Sequence, residues 1–337
     1  MVVIMSSSAT RTEIEAVLER LRSLGFTVQV SCHGGQCIIL ALGERMPDGR
    51  GVEALPGVER TMPVSRPYTL VSREVRPEGT VVWAAGRAIG GHAVTVMAGP
   101  CSVESEEQLL VTAQAVRAAG AHFLRGGAYK PRTSPYSWQG LGEEGLRLLQ
   151  SAKNATGLGV ITEVLDPRQI DLVGKVADIL QVGSRNMHNY ELLKALGQAG
   201  LPVLLKRGMA ATVEEWLLAA EYIVAAGNPN VILCERGIRT FETYTRNTLD
   251  ISAVPLVKRL SNLPVIVDPS HSGGKWWLVP ALSQAALAAG ADGLLVEVHP
   301  QPDLALCDGK QSLSPENFAQ LMTKLRRAAA AVERTLE

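Results

Sequence analysis

PVLLKRGMAATVEEWLLAAEYIVAAGNPNVILCE, residues 202–235, holds one complete structural repeat. Two β-type runs, Pro202–Lys206 and Val231–Glu235, flank a helical segment at Glu214–Ala226. Thr212 followed three residues later by Glu215 is a capping-box pattern, and Gly227 supplies the stop. Strand, helix and strand in this order predict two parallel strands joined by a crossover helix. The alternation continues on both sides. Further runs lie at Ala93–Ala98, His122–Gly126, Gly159–Val164, Ile179–Gly183, Pro264–Asp268 and Gly293–Val298, with helical patterns at Glu106–Ala119, Glu143–Thr156, Asn189–Ala199 and Trp277–Ala289. Eight runs in about 245 residues match the size of a (β/α)8 TIM barrel. An open doubly wound sheet is the alternative, and the lack of a G-x-G-x-x-G after a strand weakens a dinucleotide-binding reading. The expected fold is therefore α/β, a barrel over residues 93–337.

Residues 1–66 form a different unit. Val2–Met5 is a short β-type run. Thr10 and Glu13 form another capping box, Ile14, Val17, Leu18, Leu21 and Leu24 recur at helical spacing, and Gly25 ends the helix. Phe26–Ser31 and Cys37–Leu42 follow, separated by the hairpin signal His33-Gly34-Gly35-Gln36. A Gly/Pro-rich stretch with a short helix leads to a last run at Val58–Val64. This is the ferredoxin-like order, a small α+β domain. Pro63, Pro67 and Pro77 bracket the connection, so residues 67–92 read as a linker and barrel-capping hairpin.

The 337 residues carry 33 Lys plus Arg and 33 Asp plus Glu, a net charge of zero. A neutral chain is a poor partner for a nucleic-acid polyanion. No apolar run reaches the roughly 18 residues of a membrane span, and Met1–Ser8 does not read as a signal peptide. Five scattered cysteines suit a reducing cytoplasm, where a ligand or nucleophile is expected ahead of a structural disulfide. Cys234 and Cys307 read as small core hydrophobes. The hairpin pair Cys32 and Cys37 is given neither a metal nor a redox role, and Trp276-Trp277 reads as packing or a helix start.

In a barrel, the active site gathers at the C-terminal ends of the strands. Those ends carry Cys101, Arg125 with Lys130 and Arg132, Glu163, Arg185, Lys206, Arg236, Asp268 with His271, and Glu297 with Asp308. Five cations (Arg125, Lys130, Arg185, Lys206 and Arg236) converging on one mouth would repel one another, so a small, densely anionic ligand is expected there. Arg provides the fork suited to phosphate and carboxylate. Cys101, His271, Glu297 and Asp308 together make a mixed-ligand divalent metal site.

At these residues the sequence resembles a known family. Ala98-Gly99-Pro100-Cys101-Ser102, the stretch from Leu124-Arg125-Gly126 through Lys130-Pro131-Arg132-Thr133-Ser134-Pro135, and Asp268-Pro269-Ser270-His271 look like motifs of 3-deoxy-D-arabino-heptulosonate 7-phosphate (DAHP) synthase, type I beta class. Gly183-Ser184-Arg185, Leu205-Lys206-Arg207-Gly208, Cys234-Glu235-Arg236-Gly237 and Glu297-Val298-His299-Pro300 fit as well. The front unit resembles the ferredoxin-like regulatory extension of some members.

The resemblance implies condensation of phosphoenolpyruvate with erythrose 4-phosphate, releasing phosphate, at the entry to aromatic amino acid biosynthesis. It implies Cys101, His271, Glu297 and Asp308 as ligands of one divalent transition metal (Mn, Fe, Co or Zn), with no organic cofactor. Arg125, Lys130, Arg185, Lys206 and Arg236 would bind phosphoenolpyruvate, with Ser184 a further substrate-binding residue. Lys130 would lie between the substrates, Arg132, Thr133 and Ser134 would hold the aldose, and Glu163 would position the attacking water. An aromatic amino acid effector and a homotetramer are implied by the resemblance alone. The related octulosonate 8-phosphate synthase, which takes arabinose 5-phosphate, is the rival enzyme; it carries Lys-Ala-Asn-Arg where this chain has Lys130-Pro131-Arg132-Thr133. A ligand-binding regulator with an inactive barrel is the rival of another class.

Overall fold

A computed structural model describes residues 1–33, 35–43, 49–63, 67–132 and 134–337. The front unit runs β1 (Val2–Met5), α1 (Arg11–Ser23), β2 (Thr27–His33), β3 (Gln36–Leu42), α2 (Gly49–Glu53) and β4 (Val58–Met62). Its sheet order is β2-β3-β1-β4, with β1 antiparallel to both neighbours. The Thr10–Glu13 capping box is formed, with the Thr10 side chain accepting from Glu13 N–H and the Glu13 carboxylate accepting from Thr10 N–H. Because strand side chains alternate between faces, β1 and β3 are apolar on both sides. Val3, Met5, Ile39 and Ala41 pack on Val17 and Leu21 of α1, while Val2, Ile4, Ile38 and Leu40 join the core that continues into the barrel.

One expectation fails in this sheet. Cys32 and Cys37 are directly opposed across β2 and β3 and form a disulfide, with Cα atoms 4.1 Å apart. From the sequence, the hairpin pair could face each other, but few scattered cysteines in a reducing compartment favour ligands or nucleophiles over a disulfide. The hairpin register brings the two thiols within bonding reach.

Eight parallel strands close the barrel: β7 (Thr95–Gly99), β8 (Phe123–Arg125), β9 (Gly159–Glu163), β10 (Ile179–Val182), β11 (Val203–Lys206), β12 (Val231–Glu235), β13 (Val265–Val267) and β14 (Gly293–Glu297), with β14 pairing back to β7. The helices around them are α3 (Glu106–Ala119), α4 (Glu143–Thr156), α5 (Ile170–Gly174), α6 (Tyr190–Leu196), α7 (Val213–Ala225), α8 (Ala253–Leu260), α9 (Pro269–Gly273), α10 (Val279–Ala288) and α11 (Pro315–Ala331). Met97, Phe123, Ile161, Ile179, Leu204, Ile232, Ile266 and Leu295 fill the interior, joined by Cys234. A hairpin, β5 (Val82–Ala84) with β6 (Arg87–Ile89), adds Val82, Ala84 and Ile89 to that interior cluster. The chemistry is thereby confined to the mouth at the strands' C-terminal ends. No helix among the described residues is long and apolar enough to cross a membrane.

The segment joining the two units is held by side chains of the barrel helices. The Glu221 carboxylate accepts from Leu70 N–H (2.8 Å) and Val71 N–H (3.0 Å). Asn262 donates to Leu70 O and Ser72 O, and Ser261 Oγ donates to Val71 O. Burial pushes the Glu221 carboxyl above its ordinary range, and the linker amides pull it back. Glu221→Ala strands the linker amides of Thr69, Leu70 and Val71 and is expected to lower stability by about 2–3 kcal/mol, measured as a shift in the denaturation midpoint. Glu221→Gln, which keeps an acceptor, should lose less.

Candidate active site

Each barrel strand delivers a polar residue to the mouth because the parallel ladder ends there and the next residues turn away from the core. The resulting cavity, of about 280 Å3, is lined by Arg125, Lys130, Arg132, Ser134, Glu163, Ser184, Arg185, Lys206, Arg236, His271 and Asp308. Cys101 and Glu297 lie beneath it, almost fully buried. Thr133 lies outside the described residues.

One ligand-capable atom from each of Cys101, His271, Glu297 and Asp308 lies within 4.8 Å of the others. Asp268 explains the orientation of the histidine. Its Oδ1 caps α9 by accepting from His271 N–H, and its Oδ2 meets His271 Nδ1 at 2.7 Å. Nε2 is left facing Glu297 Oε1 at 3.4 Å and Asp308 Oδ2 at 3.7 Å. Cys101 Sγ is 3.6 Å from Asp308 Oδ2. Burial and the neighbouring Cys101 push Glu297 up to about 7. Asp308 drops to about 2 because His271 and Arg246 outweigh the effect of burial. Three potentially anionic donors crowded around one imidazole nitrogen suit a divalent ion, and the sulfur favours a transition metal over Mg. The buried Asp268–His271 contact is the outer-sphere support such sites use.

The cations are more completely partnered than repulsion alone suggested. Arg125 Nη1 donates to Glu297 Oε1 (2.7 Å) and Pro100 O (3.0 Å). Lys130 Nζ reaches Cys101 O (3.0 Å) and Sγ (3.2 Å), and Lys206 Nζ reaches Asp268 Oδ2 (2.6 Å). Two of the five cations, Arg125 and Lys206, thus balance internal carboxylates and Lys130 is held by a carbonyl and a thiol, which corrects the inference that only a bound ligand could gather them. Demand for an anion remains, since Arg236 Nη1 and Arg125 Nε are buried without a hydrogen-bond partner among the described residues. Burial lowers the Arg236 pKa, an effect a bound anion would offset. Burial also works against the Lys130 charge, but the Cys101 and Cys307 sulfurs keep this ammonium above its ordinary pKa.

Several residues at the mouth have no counterpart in the sequence reading. Gln181 Nε2 donates to Glu163 Oε2 (3.1 Å), and a Cβ at Gly183 would overlap Glu163 Oε1, so both positions hold that carboxylate in place. Arg246 reaches Asp308 Oδ2 (3.1 Å) and Gln311 Oε1 (2.8 Å), while Gln311 Nε2 donates to Glu297 Oε2 (2.6 Å). Cys307, expected to be a core hydrophobe, has its Sγ 3.2 Å from Cys101 Sγ and lines the cavity. The hydrogen bond from Cys101 lowers Cys307 to about 7, while that bond and burial raise Cys101. The adjacency of Cys307 to Asp308 was the one available signal. Arg246 and Gln311 sit in loops with no periodicity to mark them.

The comparisons agree with this geometry. The DAHP synthetase I family matches residues 78–333, and the DAHP synthase ferredoxin-like domain matches residues 1–66. A Thermotoga maritima protein named phospho-2-dehydro-3-deoxyheptonate aldolase is 48% identical over 333 residues, covering 98% of each chain. A crystal structure of a Thermotoga maritima DAHP synthase superposes with a TM-score of 0.80 at 47% identity, covering 100% of this chain and 99% of that one. A 2-dehydro-3-deoxyphosphooctonate aldolase of Syntrophotalea carbinolica is 32% identical over 266 residues, 74% of this chain and 95% of its own length. With its family motifs at one mouth and a ferredoxin-like domain in front, the chain belongs to the DAHP synthetase I family.

Proposed function

We propose that the protein condenses phosphoenolpyruvate with erythrose 4-phosphate and water to give DAHP and phosphate, a C–C bond-forming transferase at the entry to the shikimate pathway. The observation that carries this reading is a single cavity in which buried, partly unpartnered guanidinium groups face the four-donor cluster. Arg236, Lys206, Arg185 and Arg125, with Ser184, would hold the phosphate and carboxylate of phosphoenolpyruvate. Arg132, whose Nε is fixed on Trp138 O at 2.8 Å, would receive the aldose phosphate with Thr133 and Ser134. Bringing two anions that repel in water onto one cationic frame supplies proximity and orientation.

Cys101, His271, Glu297 and Asp308 would hold a divalent ion (Mn, Fe, Co or Zn) that supplies Lewis acidity toward the aldehyde. As C3 of phosphoenolpyruvate bonds to the aldehyde carbon, positive charge develops at C2 and water adds there; the hemiketal phosphate then expels phosphate by C–O cleavage. Lys130, held as an ammonium at the cavity wall, would donate to the oxygen that gains charge. Glu163, held by Gln181, is placed to orient the incoming water and accept its proton.

The same reading divides the chain into a regulatory domain (1–66), a linker with the capping hairpin (67–92) and the catalytic barrel (93–337). It assigns the front domain an aromatic amino acid effector that inhibits the barrel, supported by the match to the DAHP synthase ferredoxin-like domain. Assembly as a homotetramer is part of the proposal. Its support is membership of the family alone.

Phosphate release with erythrose 4-phosphate is expected, to fall on chelation and to return on adding back Mn or Co. Equal or faster turnover with arabinose 5-phosphate would instead favour the octulosonate reading, and no turnover with either would favour an inactive barrel. Cys101→Ala should lose at least about 100-fold in metal-dependent turnover, more than an outer-sphere substitution costs, with an unchanged circular dichroism spectrum. Saturating tyrosine or phenylalanine should depress turnover of the full chain; an unaltered rate with both rejects the effector assignment.

A further inference from the structure

Asp308 occupies an unfavourable backbone position for a side chain that has to point accurately. Its φ of 54° and ψ of 30° lie in the left-handed region. Aspartate adopts this region more readily than most side chains but still at some cost, so contacts that fix the loop decide how accurately it points. It belongs to a loop after β14 that also carries the short turns Pro302–Leu304 and Gly309–Gln311, so the strand's own ladder does not hold it. The cavity side contributes Arg246. On the other side, among the described residues, the charged group of a different segment that grips this loop is Glu104.

Glu104 lies outside the cavity with its side chain only 10% exposed. Its Oε1 accepts from Leu306 N–H at 3.0 Å, two residues before Asp308. Its Oε2 lies 3.3 Å from Nε2 of His299, a residue near the start of the same loop. His299 Nδ1 accepts from Gln301 N–H at 3.0 Å, so Nε2 carries the hydrogen and donates to Glu104. His299 N–H is itself bonded to Leu313 O (2.9 Å) across the loop's far end. At its base Glu104 is steadied by Gln108, whose Oε1 accepts from Glu104 N–H and whose Nε2 donates to Ser102 O. Glu104 lies three positions after Cys101. One carboxylate therefore ties the segment bearing Cys101 to the loop bearing Asp308, whose donor atoms are 3.6 Å apart.

We propose that Glu104 is a positioning residue for the metal centre, clamping the strained loop so that Asp308 and Cys101 present their donors to the same ion. The proposal rests on the four-residue metal site argued above. Loss of the clamp lets the Asp308 backbone relax, which removes preorganisation from one ligand while leaving the other three in place. Metal affinity should then fall much more than turnover at saturating metal.

The test is a titration of the chelator-stripped full chain with Co(II), read by thiolate-to-cobalt charge-transfer absorption and by the rate of release to a competing chelator. Glu104→Ala is expected to weaken Co(II) binding about tenfold, the lower end for outer-sphere partners, and to speed release, while kcat at saturating Co(II) stays within about threefold. Glu104→Gln keeps the size and the Leu306 acceptor but sets a donor against His299. It should show an intermediate loss, and it decides the matter if the alanine variant does not fold. Binding by the folded variants within about twofold of wild type overturns the proposal, even if their melting temperature drops, because the clamp would then be structural only. Absence of the charge-transfer band in wild type, or its persistence when both Cys101 and the neighbouring Cys307 are replaced by alanine, would sink the metal site itself and this proposal with it.

Discussion

Charge cancellation in a water-poor mouth is the constraint on which the rest of this structure depends. Asp268 is fully buried and meets both Lys206 Nζ (2.6 Å) and His271 Nδ1 (2.7 Å). Arg125 balances Glu297, Lys130 lies against Cys101, and Arg246 lies on Asp308. An isolated buried charge would be costly, so each is gathered with an opposite one or with hydrogen-bond donors. The pairing also sets the chemistry. It aims His271 Nε2 and three potentially anionic donors at one point, and it leaves guanidinium N–H groups of Arg236 and Arg125 for something other than protein.

The barrel makes that concentration possible. Strand bodies are mostly Val, Ile and Leu, which carry no polar penalty inside the sheet, and the ionisable residues enter where the ladder ends. The β5–β6 hairpin adds its apolar side chains to the barrel's interior, so this space is filled core and not a channel. The front domain is part of the same packed body. One face of its sheet joins the core that surrounds the barrel, and Glu221, Ser261 and Asn262 hold the connecting backbone. A mechanical path from that domain to the barrel helices therefore exists through ordinary packing and hydrogen bonds.

Much of this was legible in the chain because the relevant signals are local. A 3.6-residue or two-residue apolar period reports which face of an element is buried, and the capping boxes at Thr10 and Thr212 mark helix starts within four residues. Residues at strand ends could be listed because the barrel's geometry sends every C-terminal end to one side. By contrast, Cys307, Arg246, Gln311 and Gln181 act through partners on other loops or strands. Apart from Asp308 beside Cys307, nothing in their immediate neighbours says where those partners will be. The Cys32–Cys37 disulfide was missed for a related reason, since it depends on hairpin register and not on spacing.

The amino-acid order by itself therefore determined the two-part organisation, the eight-strand barrel and the set of ionisable groups at its mouth. Each of these follows from short-range periodicity and from where polar residues interrupt it. Only the tertiary structure decided which charges neutralise one another, which nitrogen of His271 faces the donors, and which guanidinium groups keep unsatisfied hydrogens. Those outcomes depend on distances of a few ångströms between segments up to two hundred residues apart, such as Cys101 and Asp308, and loop paths, not residue periods, set such distances.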